Sequence, residues 1–166
     1  MDGFFGDKSD KYRYKHIVDA LSFIPYGTIV DEFQHLVYEN PDLTPDERKS
    51  EYLKLEKKYR PYLSFEGIPY LELGTRWQYQ MHIYESPFYY IDYCIAQCVA
   101  LGFLGLSREN FDNALEKYVD FLKKTGGISL GELIEGAGLK SPFVENALKE
   151  TAENALKAIT ETENKI

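Results

Sequence analysis

RWQYQMHIYESPFYYIDY, residues 76–93, is the most informative stretch of this 166-residue chain. It carries five tyrosines and one histidine, His82, and it leads into a long apolar segment. A buried tyrosine needs a hydrogen-bond partner for its hydroxyl group, so tyrosine is a costly choice where only a core is wanted. The density of hydroxyl groups around one imidazole therefore indicates a surface that holds a polar ligand.

The order of residues in this stretch predicts a helix start inside it. Ser86-Pro87 combines a capping residue with a proline suited to the first helical turn. The helix predicted for 87–106 places Tyr89 and Tyr93 four residues apart, and therefore on one face. His82 precedes the cap by four residues.

Two interpretations of these aromatic residues remain open from spacing alone. In the first, Tyr89 and Tyr90 lie in the first helical turn, where the helix dipole favours negative charge. Phenol donors beside the His82 imidazole would there suit a peptide carbonyl or an oxyanion. In the second, the rings form a core cluster whose hydroxyl groups bind the backbone.

The rest of the chain also has the pattern of helices, because apolar residues recur at three- and four-residue spacing. Pro25 with Gly27 and then Pro41 are expected to end the first two helices, and 61–74 is expected to form a loop. Thr44, Pro45 and Glu47 form a capping-box signal. The predicted helices span Lys11–Ile24, Thr28–Glu39, Thr44–Tyr59, Pro87–Leu106, Ser107–Lys124, Ser129 to Gly136 or Gly138, and a last helix opened by Ser141-Pro142.

Two of the later helices have an apolar stripe. The stripes consist of Phe111, Leu115, Tyr118, Val119 and Leu122, and of Val144, Leu148, Ala152, Leu156 and Ile159. No stretch alternates in the manner of a strand. The sequence therefore predicts an all-α, multi-helix bundle that forms a single domain over residues 1–166.

Composition limits the class of partner and the location. A net charge of -8 and a pI of about 4.9, with no basic stripe, argue against a nucleic-acid partner. The segment 87–106 contains Asp92 and Gln97, so it is predicted to be a buried central helix and not a membrane span. The opening residues, Met1 to Phe5, lack the pattern of a secretory signal. A cytoplasmic protein is expected.

Other reactive residues are expected to have structural roles. Cys94 and Cys98 lie four apart in an apolar run and are predicted to be buried thiols. Asp31 and His35 have the spacing of two metal ligands on one helix face, but no third ligand stands out. We expect a hydrogen-bonded histidine on an acidic face there, and adventitious metal at this pair stays an open question. His16 is expected to be structural.

Three segments together resemble a known family. Residues 77–97, with His82-Ile83-Tyr84 and the SPFYYIDY run of 86–93, are similar to the C-terminal part of oligoendopeptidase F. The segments 24–41 and 43–49 resemble the same subgroup, and the resemblance extends over about residues 10–160. That enzyme belongs to the thimet-oligopeptidase-like zinc metallopeptidases.

The resemblance implies a helical fold with an active site in a channel between two helical halves, and hydrolysis of short peptides. Zinc in that family is held by a His-Glu-x-x-His helix and a downstream Glu. His82, Tyr89 and Tyr93 would be the residues that bind substrate and steady the tetrahedral intermediate. Tyr84 and Tyr90 would be further substrate-binding residues.

One departure from the family pattern is large, because no His-Glu-x-x-His occurs in these 166 residues. The chain is therefore expected to bind no zinc and to be inactive alone. Expected partners are oligopeptides, the missing N-terminal peptidase half, and a second copy that covers exposed apolar surface. A non-catalytic helical module for peptide binding or interaction is the alternative, and a helical protein with a purely structural tyrosine cluster is a third interpretation.

Overall fold

The computed structural model describes residues 2–166, with side chains from residue 3 onward. Within that range the fold consists of helices and turns, with no strand and an isolated bridge between Thr125 and Ile128. The α-helices are α1 (Asp2–Phe5), α2 (Ser9–Glu39), α3 (Pro45–Tyr59), α4 (Pro69–Glu72), α5 (His82–Glu85), α6 (Ile91–Glu109), α7 (Phe111–Lys124), α8 (Leu130–Gly136) and α9 (Ala147–Glu163). Two 3-10 helices span Gly6–Lys8 and Arg76–Tyr79. The predicted all-α class is confirmed.

The chain forms two compact units. We call residues 23–94 the central unit, and residues 1–22 with 95–166 the flanking unit. Both α2 and α6 contribute residues to each unit. The single domain predicted for 1–166 stays a prediction. Met1, the first residue of the segment predicted to lack a secretory signal, lies outside the described residues.

The core of the central unit is rich in aromatic rings. The Phe33 ring lies 5.1 Å from the Tyr52 ring and 5.3 Å from the Trp77 ring. The buried cluster comprises Ile29, Val30, Phe33, Tyr52, Leu55, Trp77, Ile83 and Tyr90. It joins α2 and α3 to the segment that carries the candidate site.

The break predicted at Pro25 and Gly27 is wrong, because α2 runs unbroken through both. A proline inside a helix removes one hydrogen bond and costs roughly 3 kcal/mol. The continued helix fully buries Ile29, Val30 and Phe33, and each such side chain contributes about 1.5–3 kcal/mol. Packing therefore outweighs the local penalty. Gly27 has a packing role: a Cβ there would lie 2.1 Å from the Cys94 sulfur.

Two helix starts were predicted correctly. The Thr44 side chain accepts a hydrogen bond from the Glu47 backbone, and the Glu47 carboxylate accepts one from the Thr44 backbone at 2.8 Å. Ser129 and Glu132 form the same reciprocal pair at the start of α8. These hydrogen bonds satisfy backbone donors that the first helical turn leaves without partners.

The boundary between α6 and α7 differs from the predicted cap at Ser107. The Ser107 hydroxyl group donates to the Leu104 carbonyl at 2.8 Å, inside α6. Asn110 is the cap of α7, since its extended backbone lets its side chain accept from the Asn113 N–H at 3.0 Å. A serine that bonds back to its own helix cannot cap the next one.

The last helix also differs from the prediction. It starts at Ala147 and not at Ser141-Pro142, because Asn146 has a left-handed backbone, φ 64°, that a helix cannot include. Its buried residues are Ala147, Ala155, Ala158 and Thr162, whereas the predicted stripe is exposed at Val144, Leu148 and Leu156 and half-buried at Ala152 and Ile159. The buried positions of α9 are thus small side chains, and Gly105 of α6 faces Asn154 of α9 at an ordinary contact distance, 3.6 Å from a Cβ placed there.

Much apolar surface is exposed in the flanking unit. The exposed apolar residues of α7 are those of its predicted stripe, Phe111, Leu115, Tyr118, Val119 and Leu122. The buried central helix predicted for 87–106 is wrong in extent, because α6 is buried along one face only, at Cys94, Cys98 and Leu101. Within the described range, α6 is also long and apolar enough to cross a membrane, a test that core helices of other proteins pass too.

Candidate functional site

The turn formed by residues 86–90 positions the candidate site. Phe88 has a left-handed backbone with φ 63°, so the helix predicted from Pro87 begins only at Ile91. The Phe88 N–H donates to the Gln34 side-chain oxygen at 2.7 Å. Gln34 is fully buried, and its amide also donates to the Val30 carbonyl at 3.2 Å. A buried side chain in α2 thus fixes the backbone of this turn.

The helix-dipole argument made for Tyr89 and Tyr90 is consequently wrong, since both residues precede α6. The aromatic cluster itself nevertheless forms. The ring of His82 lies 4.9 Å from that of Tyr90, 5.7 Å from that of Tyr93 and 6.4 Å from that of Tyr89. The Tyr89 and Tyr93 rings meet edge to face at 5.3 Å. We call His82, Tyr89, Tyr90 and Tyr93 the His82 cluster.

Members of the His82 cluster differ in their accessibility. Tyr89 and Tyr93 are 48% and 40% exposed, His82 is half-buried and Tyr90 is buried. A hydrogen bond with the Tyr89 side chain raises the pKa of Tyr93. The two exposed phenols are therefore neighbours that a ligand can reach.

Tyr90 makes the free energy of unfolding of the central unit depend on pH in the alkaline range. Burial raises the pKa of its phenol from 10.0 to about 12. Between these two pKa values Tyr90 ionises in the unfolded chain but not in the folded one. The stability that the protonated phenol contributes is therefore intact below the unfolded pKa, and it is lost as pH rises through the folded pKa. We expect Tyr90→Phe to remove about 1 kcal/mol of the stability loss seen at about pH 11. Urea unfolding at about pH 8 and pH 11, followed by Trp77 fluorescence, measures it.

Tyr79→Phe is the matched control, because Tyr79 is 85% exposed and should leave the pH dependence unchanged. Tyr52 is fully buried, and burial raises its pKa further still, so part of the alkaline loss should remain in Tyr90→Phe. Equal pH dependence in the wild type and Tyr90→Phe would contradict the assignment.

A hydrogen-bonded chain holds the other side of His82. The Tyr26 hydroxyl group donates to the Gln80 side-chain oxygen at 2.7 Å, and the Gln80 amide nitrogen lies 2.7 Å from Nδ1 of His82. The guanidinium groups of Arg76 and Arg60 lie 4.7 and 5.1 Å from the centre of the Tyr26 ring. The imidazole is thus fixed in orientation from α2 and from the segment before α5.

Tyr84, predicted to bind substrate, lies apart from the His82 cluster. Its ring is 6.1 Å from the Trp77 ring, and burial raises its pKa. It lines a separate cavity with Val37, Tyr38, Pro41, Arg48, Trp77 and Ile83. A cavity near α3, beside Arg60 and Glu56, likewise contains no residue of the cluster. The candidate site is therefore an open surface formed by the cluster.

A zinc site requires several side chains that can hold the metal together. Among the described residues, no group of three or more His, Cys, Asp or Glu side chains has the arrangement of metal ligands. Nε2 of His35 lies 3.6 Å from the Asp31 carboxylate, and the His35 ring lies 4.8 Å from the Phe88 ring, tilted by 47°. At 3.6 Å the two side chains are close, but they do not form the hydrogen bond that was expected for this histidine. That the chain binds no zinc stays a prediction.

Sequence reasoning missed the residues that support the cluster. Gln34, Gln80 and Tyr26 act over 54 positions of sequence separation, and no local spacing indicates such partners. The proximity of Gln80 to His82 in sequence is the single signal that could have pointed to it. Cys94 and Cys98 are buried thiols without a disulfide bond, as predicted.

Comparisons with known proteins identify the family to which this chain is similar. The sequence profile of Peptidase family M3 matches residues 7–153. An oligoendopeptidase F homolog of Borreliella burgdorferi is 30% identical over 127 residues, which are 72% of this chain and 20% of that protein. A solved structure of PZ peptidase A with an inhibitor has a TM-score of 0.92 and 41% identity, over 100% of this chain and 30% of that one.

A crystal structure assigned as an oligoendopeptidase F is 44% identical with a TM-score of 0.89, over 97% of this chain and 28% of that one. This chain therefore spans between a fifth and a third of the length of these relatives. Because the family profile covers most of its residues, the chain belongs to Peptidase family M3, a family of zinc-dependent metalloproteases.

Proposed function

We propose that this chain is the substrate-binding, C-terminal portion of an oligoendopeptidase F-like peptidase that hydrolyses short peptides. The observation that carries the proposal is the His82 cluster, which presents an imidazole and two accessible phenols on one open surface. Such groups offer several hydrogen-bond donors to one oxygen atom of a ligand. The buried Tyr90 serves as the wall behind them.

The chemistry that suits this surface is recognition of a peptide carbonyl. His82 and the two exposed phenols, Tyr89 and Tyr93, donate hydrogen bonds to the carbonyl oxygen. Preorganised donors stabilise the charge that grows on that oxygen when a nucleophile attacks the carbonyl carbon. These residues therefore bind the substrate, orient it and stabilise the oxyanion. Generation of the nucleophile is assigned to the portion of the peptidase outside this chain.

Two observations support placing the metal and the general base outside this chain. The chain spans only part of the length of its relatives, and it lacks the His-Glu-x-x-His motif. Relatives of this chain are between three and four times as long, and zinc is the cofactor of the family. We expect a partner portion with the His-Glu-x-x-His helix to supply the metal and the general base. The apolar stripe of α7 is available for such a contact or for a second copy of the chain.

The first test is peptide binding by the purified chain. A fluorescently labelled oligopeptide should bind the wild type, and His82→Ala should weaken binding about tenfold, since one donor to the carbonyl is lost. Fluorescence anisotropy measures the dissociation constant. A quenched fluorescent version of the peptide, with and without added zinc, should show no cleavage by this chain alone.

His16→Ala is the matched control, because it removes a histidine from the flanking unit and should leave binding unchanged. Equal binding by His82→Ala and the wild type, with altered stability only, would favour a structural tyrosine cluster. Chelator-sensitive cleavage by the chain alone would contradict the assignment of the metal and the general base to another portion of the peptidase.

A non-catalytic peptide-binding module is the second candidate function, favoured by the lack of a three-ligand group in the described part of the chain. Co-expression with a reading frame that carries His-Glu-x-x-His separates the two, because only the peptidase portion should gain cleavage. Cytoplasmic location stays part of the proposal.

A further inference from the structure

We propose that Gln80, held by the Tyr26 hydroxyl group, keeps His82 in the tautomer with its proton on Nε2, so that the cluster presents this histidine as a hydrogen-bond donor. The inference rests on the proposed function, because it specifies which property of a peptide the site recognises: an oxygen acceptor. It adds Gln80 and Tyr26 as positioning residues.

The first step is the orientation of the Gln80 amide. Tyr26 donates its proton to the Gln80 oxygen at 2.7 Å. The reverse orientation would turn the Gln80 NH₂ group toward the Tyr26 hydroxyl group and take away the acceptor of its proton, and the guanidinium groups of Arg60 and Arg76 beside the Tyr26 ring offer no replacement. Guanidinium groups only donate hydrogen bonds. The phenol proton therefore goes to Gln80.

The orientation of the Gln80 amide decides which nitrogen of the His82 imidazole carries the proton. With its oxygen occupied by Tyr26, Gln80 turns its NH₂ group toward Nδ1 of His82 at 2.7 Å. An amide NH₂ group can only donate, so Nδ1 must accept through its lone pair. A neutral imidazole then carries its proton on Nε2, because the hydrogen bond of one ring nitrogen sets the state of the other.

The third step is the consequence for ligand choice. Nε2–H is a donor, and the exposed Tyr89 phenol, whose ring stacks 6.4 Å from that of His82, carries a second donor beside it. Two donors on one surface match the lone pairs of a peptide carbonyl or an oxyanion. The same surface disfavours a ligand that presents an N–H group to His82.

NMR of the histidine rings tests the inference without ligand or metal. The chain has three histidines, so long-range ¹H–¹⁵N spectra of ¹⁵N-histidine-labelled protein resolve each ring, and His82→Ala assigns the signals. At about pH 9, well above the ordinary imidazole pKa of roughly 6.5, the wild type should show the proton on Nε2. The expected bias is about five- to tenfold over the other tautomer.

Gln80→Glu is the decisive variant, because a carboxylate only accepts and should draw the proton to Nδ1. Gln78→Glu is its matched control, since it makes the same change of charge at an exposed position and should keep the proton on Nε2. Tyr26→Phe removes the group that orients the Gln80 amide and should reduce the bias toward Nε2.

Two results would overturn the inference: a wild-type proton on Nδ1, or an unchanged pattern in Gln80→Glu. If Gln80→Glu does not fold, the wild-type and Tyr26→Phe spectra decide. The peptide titration separates this inference from the proposed function. An Nε2 proton without peptide binding would refute only the function, whereas a Nδ1 proton with binding that depends on His82 would refute only the role of Gln80.

Discussion

Replacing Glu56 with alanine is expected to lower the free energy of unfolding by about 3–5 kcal/mol. Glu56 and Arg60 are 2% and 7% exposed, and the carboxylate accepts from Nε of Arg60 at 2.8 Å. The Arg60 guanidinium group also lies over the Tyr26 ring, 5.1 Å from its centre. The ion pair with Glu56 compensates the cost of removing the Arg60 guanidinium group from water. Glu56→Ala would therefore leave a buried charge without its counterion. Trp77, the single tryptophan, reports urea unfolding of the central unit.

Glu51→Ala is the matched control on the same helix. Glu51 pairs with Lys54 at 2.6 Å, but this pair is exposed to solvent, and exposed pairs contribute only about 0–1 kcal/mol. Glu56→Gln should fall between the two variants, and it keeps the comparison informative if Glu56→Ala does not fold. A loss in Glu56→Ala no larger than in Glu51→Ala would show that the buried pair adds little.

The parts of the fold that the sequence predicted well depend on short-range signals. A capping box needs only two residues three positions apart, as in Thr44 with Glu47 and Ser129 with Glu132. Its hydrogen bonds close within one helical turn, so the rest of the chain has little influence on them. The all-α class follows from the same kind of local periodicity.

The break expected at Pro25 shows where local rules fail. A proline penalty of roughly 3 kcal/mol is known from the residue alone. The compensation is known only once Ile29, Val30 and Phe33 are seen to be fully buried on the continued helix. Helix propensity is a weak prior, and tertiary packing decided the outcome here.

The candidate site was likewise predictable only where its residues lie close together in the sequence. His82, Tyr89, Tyr90 and Tyr93 lie within twelve residues of one another, so their grouping was visible in the sequence. The direction of each hydrogen bond was not visible, because it depends on Tyr26 and Gln34, each bonded to a residue 54 positions away. The resemblance to oligoendopeptidase F pointed to the cluster but not to these supports.

Gly74→Ala is expected to destabilise the central unit by about 3–5 kcal/mol, because it combines backbone strain with a steric clash. Gly74 has φ 71°, in the left-handed region that side chains with a Cβ disfavour. A Cβ at this position would lie 2.2 Å from the Lys49 carbonyl oxygen and 3.1 Å from the Leu53 Cβ. Neither contact is relieved by turning a side chain, since the first is to backbone in α3. Urea unfolding followed by Trp77 fluorescence measures the loss.

Gly67→Ala isolates the strain from the clash. Gly67 has φ 79°, but a Cβ there would have no neighbour within 4 Å. Its loss should be about 1–2 kcal/mol, and the difference between the two variants then measures the contact with α3. Both glycines lie in the segment 61–74, for which the sequence predicted a loop. If the two variants are equally stable, α3 does not pack on Gly74 as closely as described, and the loop that leads to His82 is held less firmly against the central unit.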